Sequence, residues 1–130
     1  MFVDASALVA ILLDEPERAS LSDRLEDSPV RLTSPVAFFE AAVALMRHSR
    51  VSRRIAERDV RDLLGKATIE IIPITDEIGR AALAAFDRYG KRSGHPAQLN
   101  MGDCFAYGAA RILGVPLLYK GDDFAKTELG

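Results

Sequence analysis

Short apolar runs alternate with longer stretches of helical periodicity along the whole chain. The runs short enough to be strands lie at residues 1–3, 30–33, 69–74 and 115–119. Between them, apolar positions recur at the spacing of helices at residues 7–13, 17–27, 36–47, 52–65, 78–89 and 102–112. Strands and helices that alternate in this way predict βαβ units and a parallel sheet. We therefore expect residues 1–130 to form one domain, an α/β/α sandwich with a central parallel sheet flanked by helices.

The helix predicted at residues 36–47 is apolar on nearly all sides, so we expect it to lie inside the fold. Glu40 is the only charged residue between Thr33 and Met46. An ionised carboxylate in apolar surroundings is costly unless it meets a cation, hydrogen-bond donors or a water-filled cleft. The pattern therefore favours a functional role for Glu40.

Composition narrows the class of protein. The chain is 48% hydrophobic and 28% charged, which is typical of soluble globular proteins. No apolar stretch approaches the roughly 20 residues that span a bilayer, and Asp4 interrupts any secretory leader, so we expect no membrane contact. A single cysteine, Cys104, favours a reducing cytoplasm. The net charge of −2 argues weakly against nucleic acid unless several acids are gathered in one place.

Acidic residues stand where a parallel sheet gathers its ligands, beyond the carboxyl ends of the strands. Asp4 follows the first predicted strand, Asp122 and Asp123 follow the last, and Asp103 opens the helix that leads into it. Each has an ordinary alternative. Asp4 and Asp103 are suitable helix N-caps, and Asp122 and Asp123 are suitable turn residues.

One hypothesis replaces these separate explanations. Three or four carboxylates in one cleft would repel each other, and a divalent cation would remove the repulsion. Oxygen ligands without nearby histidine or cysteine suit Mg²⁺ or Mn²⁺ rather than Zn²⁺. Such a site can polarise a phosphate oxygen and activate water, which is the chemistry of phosphodiester hydrolysis.

Several segments together resemble PIN-domain ribonucleases, and most of all the VapC toxins of VapBC toxin–antitoxin pairs. The resemblance runs from residue 1 to about residue 128. It rests on Val3-Asp4-Ala5-Ser6-Ala7-Leu8, the helix with Glu40, Asn100-Met101-Gly102-Asp103-Cys104-Phe105 and Gly121-Asp122-Asp123-Phe124. Similar sequences often continue with Thr-Asp after the last segment, where this chain has Thr127 and Glu128.

The resemblance implies a cleft of acids that holds one or two Mg²⁺ or Mn²⁺ ions. Carried over residue by residue, the metal-binding and catalytic carboxylates are Asp4, Glu40, Asp103 and Asp123. Asp122 is the alternative to Asp123 or its outer partner. Ser6 matches a small polar position that orients a ligand or water.

The same resemblance implies an RNA substrate, a homodimer and a VapB-type antitoxin that covers the cleft. A ribonuclease needs cations for phosphates, and the candidate residues are Arg53, Arg54, Lys91, Arg92 and Lys120. Apolar positions of the early helices are candidates for a contact surface with either protein partner, namely Leu12, Leu13, Leu21 and Leu25.

Two other functions remain open at this point. A phosphoacceptor receiver domain has a similar architecture, and Asp76 and Lys120 would supply its acid and its lysine. The other is a PIN domain without catalytic activity that serves as an RNA or protein adaptor.

Overall fold

The computed structural model describes residues 1–130, with four parallel strands and six helices. The strands are β1 (Phe2–Val3), β2 (Leu32–Thr33), β3 (Glu70–Ile71) and β4 (Leu117–Leu118). The helices are α1 (Ala5–Leu12), α2 (Arg18–Glu26), α3 (Pro35–Ser49), α4 (Arg53–Lys66), α5 (Asp76–Tyr89) and α6 (Met101–Leu113). The predicted α/β class and the predicted order of elements are confirmed.

The four strands form one sheet in the order β3-β2-β1-β4, and every neighbouring pair is parallel. Phe2 pairs with Leu32 on one side and with Leu117 on the other, so β1 lies inside the sheet. A buried Thr33 hydroxyl donates a 2.9 Å hydrogen bond to the Val3 carbonyl and fixes β2 against β1. Because β1 and β4 are parallel neighbours, their carboxyl ends lie side by side.

Side chains alternate across the sheet and divide the interior into two cores. Val3 and Leu118 point into a core shared with helices α1 to α4, whereas Phe2 and Leu117 point into a core shared with α5 and α6. The protein is therefore a three-layer sandwich, as predicted.

The prediction that the third helix lies inside the fold is wrong. Helix α3 buries a single stripe of Ala37, Ala41 and Leu45, whereas the Phe39 side chain is 66% exposed. The stripe recurs every four residues, which is enough to attach one face of the helix to the core. Phe38 and Ala42 are partly buried beside this stripe and pack against the same core, whereas Phe39 and Met46 face outward.

The third strand is shorter than the apolar run from residue 69 to residue 74 predicts. Only Glu70 and Ile71 pair, because β3 is at the sheet edge and its one neighbour, β2, is itself two residues long. The Ile72 amide still donates a 2.9 Å hydrogen bond to the Thr33 carbonyl, but no residue after Ile71 is paired in the sheet.

Two of the four early-helix leucines, Leu21 and Leu25, are core residues and not a contact surface. Leu21 and Leu25 are each 4% exposed and belong to the first core, and Leu12 and Leu13 pack against it. The large apolar side chains most open to solvent are instead Phe39, Leu83 and Met101. None of the six helices combines the length and the apolar content that crossing a bilayer requires.

Truncation of a core leucine tests this assignment. Leu25→Ala is expected to lower the free energy of unfolding by about 2–5 kcal/mol, since it removes a buried side chain and leaves a cavity. The control Leu83→Ala truncates a side chain that is 73% exposed and is expected to change it by at most about 0.5 kcal/mol. Urea denaturation measures both. A loss in Leu25→Ala that depends on protein concentration, with Leu83→Ala unchanged, would instead place Leu25 in a subunit contact.

Candidate active site

The candidate site lies beyond the carboxyl ends of β1 and β4. Asp4 directly follows β1, and Asp122 and Asp123 lie in the segment after β4. Glu40 is in the second turn of α3, and Asp103 is in the first turn of α6. The predicted acids therefore reach one region from four separate parts of the chain.

Asp4 is held rigidly by the start of α1. It is the N-cap of this helix, and its Oδ2 accepts hydrogen bonds from the Ser6 amide at 3.0 Å and the Ser6 hydroxyl at 2.6 Å. The Ser6 hydroxyl in turn accepts a 3.0 Å hydrogen bond from the Lys120 amide beyond β4. The capping role and the position at the cleft are thus compatible, and Ser6 ties Asp4 to the adjacent strand end.

Burial has a large effect on Asp4, whose side chain is almost inaccessible to water. Loss of hydration raises the pKa of this carboxyl, the Ser6 hydrogen bonds oppose that rise, and the negative charge of Asp123 adds to it. The surroundings of Asp4 therefore stabilise its ionised form only in part.

Asp103 is not the N-cap of α6, because that position is Asn100. The Asn100 side chain accepts a 2.9 Å hydrogen bond from the Asp103 amide, and Asp103 Oδ2 accepts a 3.0 Å hydrogen bond from the Asn100 amide. This reciprocal pair is a capping box. The prediction that Asp103 could be the N-cap is therefore wrong, because Asp103 is three residues after the N-cap in the capping box. In the sequence, the three-residue spacing from Asn100 to Asp103 is the signal that identifies Asn100 as the N-cap.

Glu40 lies against the first turn of α6. A Cβ atom at position 102 would overlap the Glu40 carboxylate, so the helix backbone and the acid are in direct contact at Gly102. The pKa of Glu40 rises to about 7, first because the group is partly buried and then because Asp4 and Asp103 repel its charge. Gly102 therefore has a positioning role that its place in the sequence motif does not indicate.

Asp103 is subject to the same effects. The pKa of Asp103 rises to about 6, and burial is the largest cause. The hydrogen bond from the Asn100 amide opposes this rise, whereas the negative charges of Asp123 and Asp4 increase it. The nearby Lys91 ammonium lowers it slightly. Asp123 thus acts on both Asp4 and Asp103, although its own side chain, like that of Asp122, is exposed.

The four acids are electrostatically coupled, but they are not arranged as a finished metal site. No group of three or more acidic, histidine or cysteine side chains stands close enough to share an ion. The backbone brings the carboxylates to one cleft, and side-chain rotation would have to complete any common ligation. The oxygen-only donors and their unrelieved repulsion fit a hard divalent cation.

The predicted phosphate-binding cations differ in their surroundings. Lys91 lies close to Asp103, and Lys91, Arg92 and Arg54 are exposed and form no salt bridge. Arg53 lies in α4, 3.4 Å from Glu57. The Lys120 ammonium is held by Glu15 at 3.0 Å and Glu17 at 3.4 Å, so most of its charge is already compensated.

The arrangement gives no support to a receiver domain. Asp76, which would be the phosphoacceptor, is the first residue of α5, and its side chain is 92% exposed and lies 3.5 Å from Arg80. It does not join the acids at the carboxyl ends of β1 and β4.

Comparison with known proteins agrees with this architecture. The PIN domain family matches residues 1–129. A VapC ribonuclease of Rhizobium meliloti (strain 1021) is 44% identical over 99% of each chain. Ribonuclease VapC28 of Mycobacterium tuberculosis (strain ATCC 25618 / H37Rv) is 40% identical over 98% of this chain and 93% of its own.

Solved structures show the same fold. VapC20 of Mycobacterium tuberculosis, described as a toxin that cleaves the sarcin–ricin loop, superposes with a TM-score of 0.74 at 18% identity. That likeness covers 98% of this chain and 94% of the other. A toxin–antitoxin complex from Klebsiella pneumoniae matches with a TM-score of 0.71 at 20% identity, over 98% and 92% of the two chains.

The raised acid pKa values predict how stability depends on pH without added metal. As pH rises through about 6 and about 7, Asp103 and Glu40 lose protons that they bind more tightly than in the unfolded chain, where ordinary values are 3.8 and 4.5. The free energy of unfolding should therefore be highest on the acid side of this window and fall as pH rises through it. Urea denaturation in EDTA at a series of pH values measures the slope.

Glu40→Gln should make this slope shallower, because one of the carboxyl groups with a raised pKa is gone. Glu70→Gln removes an exposed acid outside the cleft and should leave the slope as it is. A slope that is equally steep in Glu40→Gln and the unsubstituted protein would contradict the assignment of the raised pKa to Glu40.

Proposed function

Because the chain belongs to the PIN-domain family, and within it to the VapC ribonucleases, we propose that it is a divalent-metal-dependent ribonuclease and the toxin of a toxin–antitoxin pair. The observation that carries the proposal is the mutual repulsion of Asp4, Glu40, Asp103 and Asp123 across one cleft. A purely structural cluster of acids would have cationic side chains to compensate it, and here Lys91 alone contributes a favourable charge.

In this proposal, Asp4, Glu40, Asp103 and Asp123 hold Mg²⁺ or Mn²⁺, with Asp122 as the outer neighbour of Asp123. The bound cation would activate water and stabilise negative charge on the phosphate oxygens. The protein's own contribution is to hold the acids in place. Ser6 fixes Oδ2 of Asp4, and the capping box fixes Oδ2 of Asp103, so each acid offers its other oxygen to a ligand without reorganising a helix end.

The proposed substrate is RNA, whose phosphates would approach through exposed cations near the cleft. Lys91 supports this role best, since its charge already acts on Asp103. Arg92 lies next to it in the same loop, and Arg53 and Arg54 begin α4. Lys120 contributes less, because Glu15 and Glu17 bind its ammonium.

The proposed protein partner is a VapB-type antitoxin that covers the cleft. The Klebsiella neighbour belongs to a toxin–antitoxin complex, which supports a partner of this kind. We also propose a homodimer, for which the exposed apolar side chains Phe39 and Met46 on α3 are available.

Cleavage of RNA tests the function directly. Purified protein free of antitoxin is expected to cut RNA from a mixed pool, to which a sarcin–ricin hairpin is added, in Mg²⁺ or Mn²⁺ but not in EDTA. Asp4→Asn is expected to fold normally, because asparagine also caps helices, and to lose at least about 100-fold in cleavage rate. Circular dichroism and gel-resolved cleavage provide the two measurements.

An adaptor without catalytic activity gives a different result. It would bind RNA and leave it intact in every metal, and calorimetry with Mn²⁺ would show no site that Asp4→Asn weakens.

RNA affinity should depend on Lys91 more than on Lys120. In the Asp4→Asn background, where the RNA stays intact, Lys91→Gln is expected to weaken binding and to reduce the slope of log affinity against log salt by about 0.7 for one lost phosphate contact. Arg54→Gln tests helix α4 in the same way. Lys120→Gln is the control, since it removes an ammonium that is already paired. If Lys91→Gln and Arg54→Gln both kept the slope of the Asp4→Asn background, neither cation would contact RNA phosphates.

A further inference from the structure

The segment after β4 carries Asp123 but has no helix or strand of its own. Residues 121–130 form consecutive turns, with backbone hydrogen bonds from Ala125 to Asp122, from Thr127 to Phe124 and from Gly130 to Thr127. All these bonds lie within the segment. Turns of this kind shape the segment, which we call the tail, but do not attach it to the rest of the protein.

Leu129 of the tail is partly buried and packs against the second core. Two other side chains make the specific contacts that attach the tail. The first is the Phe124 ring, which is 1% exposed in the second core and lies edge-on to Tyr119 at 5.1 Å between centroids. The second is the Glu128 carboxylate, which accepts a hydrogen bond from the Tyr107 hydroxyl and lies 2.7 Å from Arg111. Arg88 of α5 approaches the same carboxylate oxygen at 3.8 Å.

The partners of Glu128 lie on the helix that carries Asp103. Asp103, Tyr107 and Arg111 are four residues apart and therefore follow one face of α6. The tail meets this face at both ends, because Asp123 interacts with Asp103 and Glu128 binds Tyr107 and Arg111. The tail thus runs beside α6 in a fixed register.

The forces at the two ends are opposite in sign. Asp123 and Asp103 carry like charges, so without a cation their interaction pushes the tail away from α6. Five residues later, Glu128 meets two arginines and a hydroxyl donor, and these contacts pull the tail towards the helix. Tyr107 and Arg111 also lower the pKa of Glu128, so this carboxyl is ionised wherever the protein is folded near neutral pH.

We propose that Glu128 is a positioning residue, which clamps the tail to Tyr107 and Arg111 and so keeps Asp123 beside Asp103 before a cation binds. This inference rests on the proposed metal site. Its chemical basis is a hydrogen bond to Tyr107, about one helical turn along α6 from Asp103, and an ion pair with Arg111, about two turns along. Phe124 fixes the backbone next to Asp123, and Glu128 holds the following residues of the tail against α6.

The effect on metal binding follows from the population of the clamped tail. If release of Glu128 leaves Asp123 in place only a fraction of the time, the apparent metal affinity falls by that same fraction. Glu128→Gln removes the charge that the arginines bind, and we expect about a five-fold weaker Mn²⁺ affinity, measured by calorimetry without RNA. Glu70→Gln, an exposed acid on β3, is the matched control and should keep the affinity of the unsubstituted protein.

A double-variant comparison separates positioning from a general loss of structure. In the Asp123→Asn background the ligand that Glu128 is proposed to position has lost its charge. Adding Glu128→Gln to Asp123→Asn is therefore expected to weaken Mn²⁺ binding less than two-fold. An equal five-fold loss in both backgrounds, or no loss in the unsubstituted background, would overturn the proposal.

Tyr107→Phe provides a second route should Glu128→Gln fold poorly, since it deletes one hydroxyl and keeps the ring. It is expected to weaken Mn²⁺ binding in the same direction, again only while Asp123 is present. Hydrogen exchange of residues 122–130 in EDTA gives a readout without metal, and faster exchange in Glu128→Gln is expected. Unchanged exchange would overturn the clamp.

The same experiment distinguishes failure of the clamp from failure of the proposed function. If the unsubstituted protein bound no Mn²⁺, the metal site itself would be wrong, and tail exchange would still decide whether Glu128 holds the tail. If the unsubstituted protein bound Mn²⁺ and Glu128→Gln bound it equally well, only the clamp would be wrong.

Discussion

Repulsion among carboxylates at the carboxyl edge of the sheet is the constraint on which the rest of this structure depends. Parallel strands bring the ends of β1 and β4 together, and with them Asp4 and the tail that carries Asp123. Helices α3 and α6 add Glu40 and Asp103. A fold that only had to be stable would separate these charges. This one holds them close through capping hydrogen bonds, which keep the backbone in place while the side chains remain under electrostatic strain.

Two of the acids have a structural role in addition to the chemical role proposed for them. Asp4 caps α1 and Asp103 completes the capping box of α6, and in each case one carboxylate oxygen accepts the backbone hydrogen bond. The two explanations that the sequence left as competitors for these residues are therefore not exclusive. Helix starts suit this purpose because their amide groups stabilise negative charge, which reduces the cost of gathering acids without neutralising them.

Much of the fold, and the gathering of acids at one edge of the sheet, could be predicted from the sequence, because apolar periodicity and strand-end acids are local signals. The layers, the parallel sheet and the order of elements follow from that periodicity. The position of helix α3 could not be predicted, because its apolar composition does not say which face meets the core, and Phe39 lies outside. Glu128 was not interpretable from the sequence either, since its partners Tyr107 and Arg111 are more than fifteen positions away in the chain.

Gly102 shows that a site can depend on a residue without any functional group. The Glu40 carboxylate occupies the volume where a side chain at position 102 would begin, so even a methyl group there would force the acid aside. In a genetic selection for cells that survive expression of this protein, inactivating changes should accordingly appear at position 102 as well as at the acids. A ranking of residues by chemical reactivity would place that glycine last, whereas a ranking by tolerance to substitution would place it among the first.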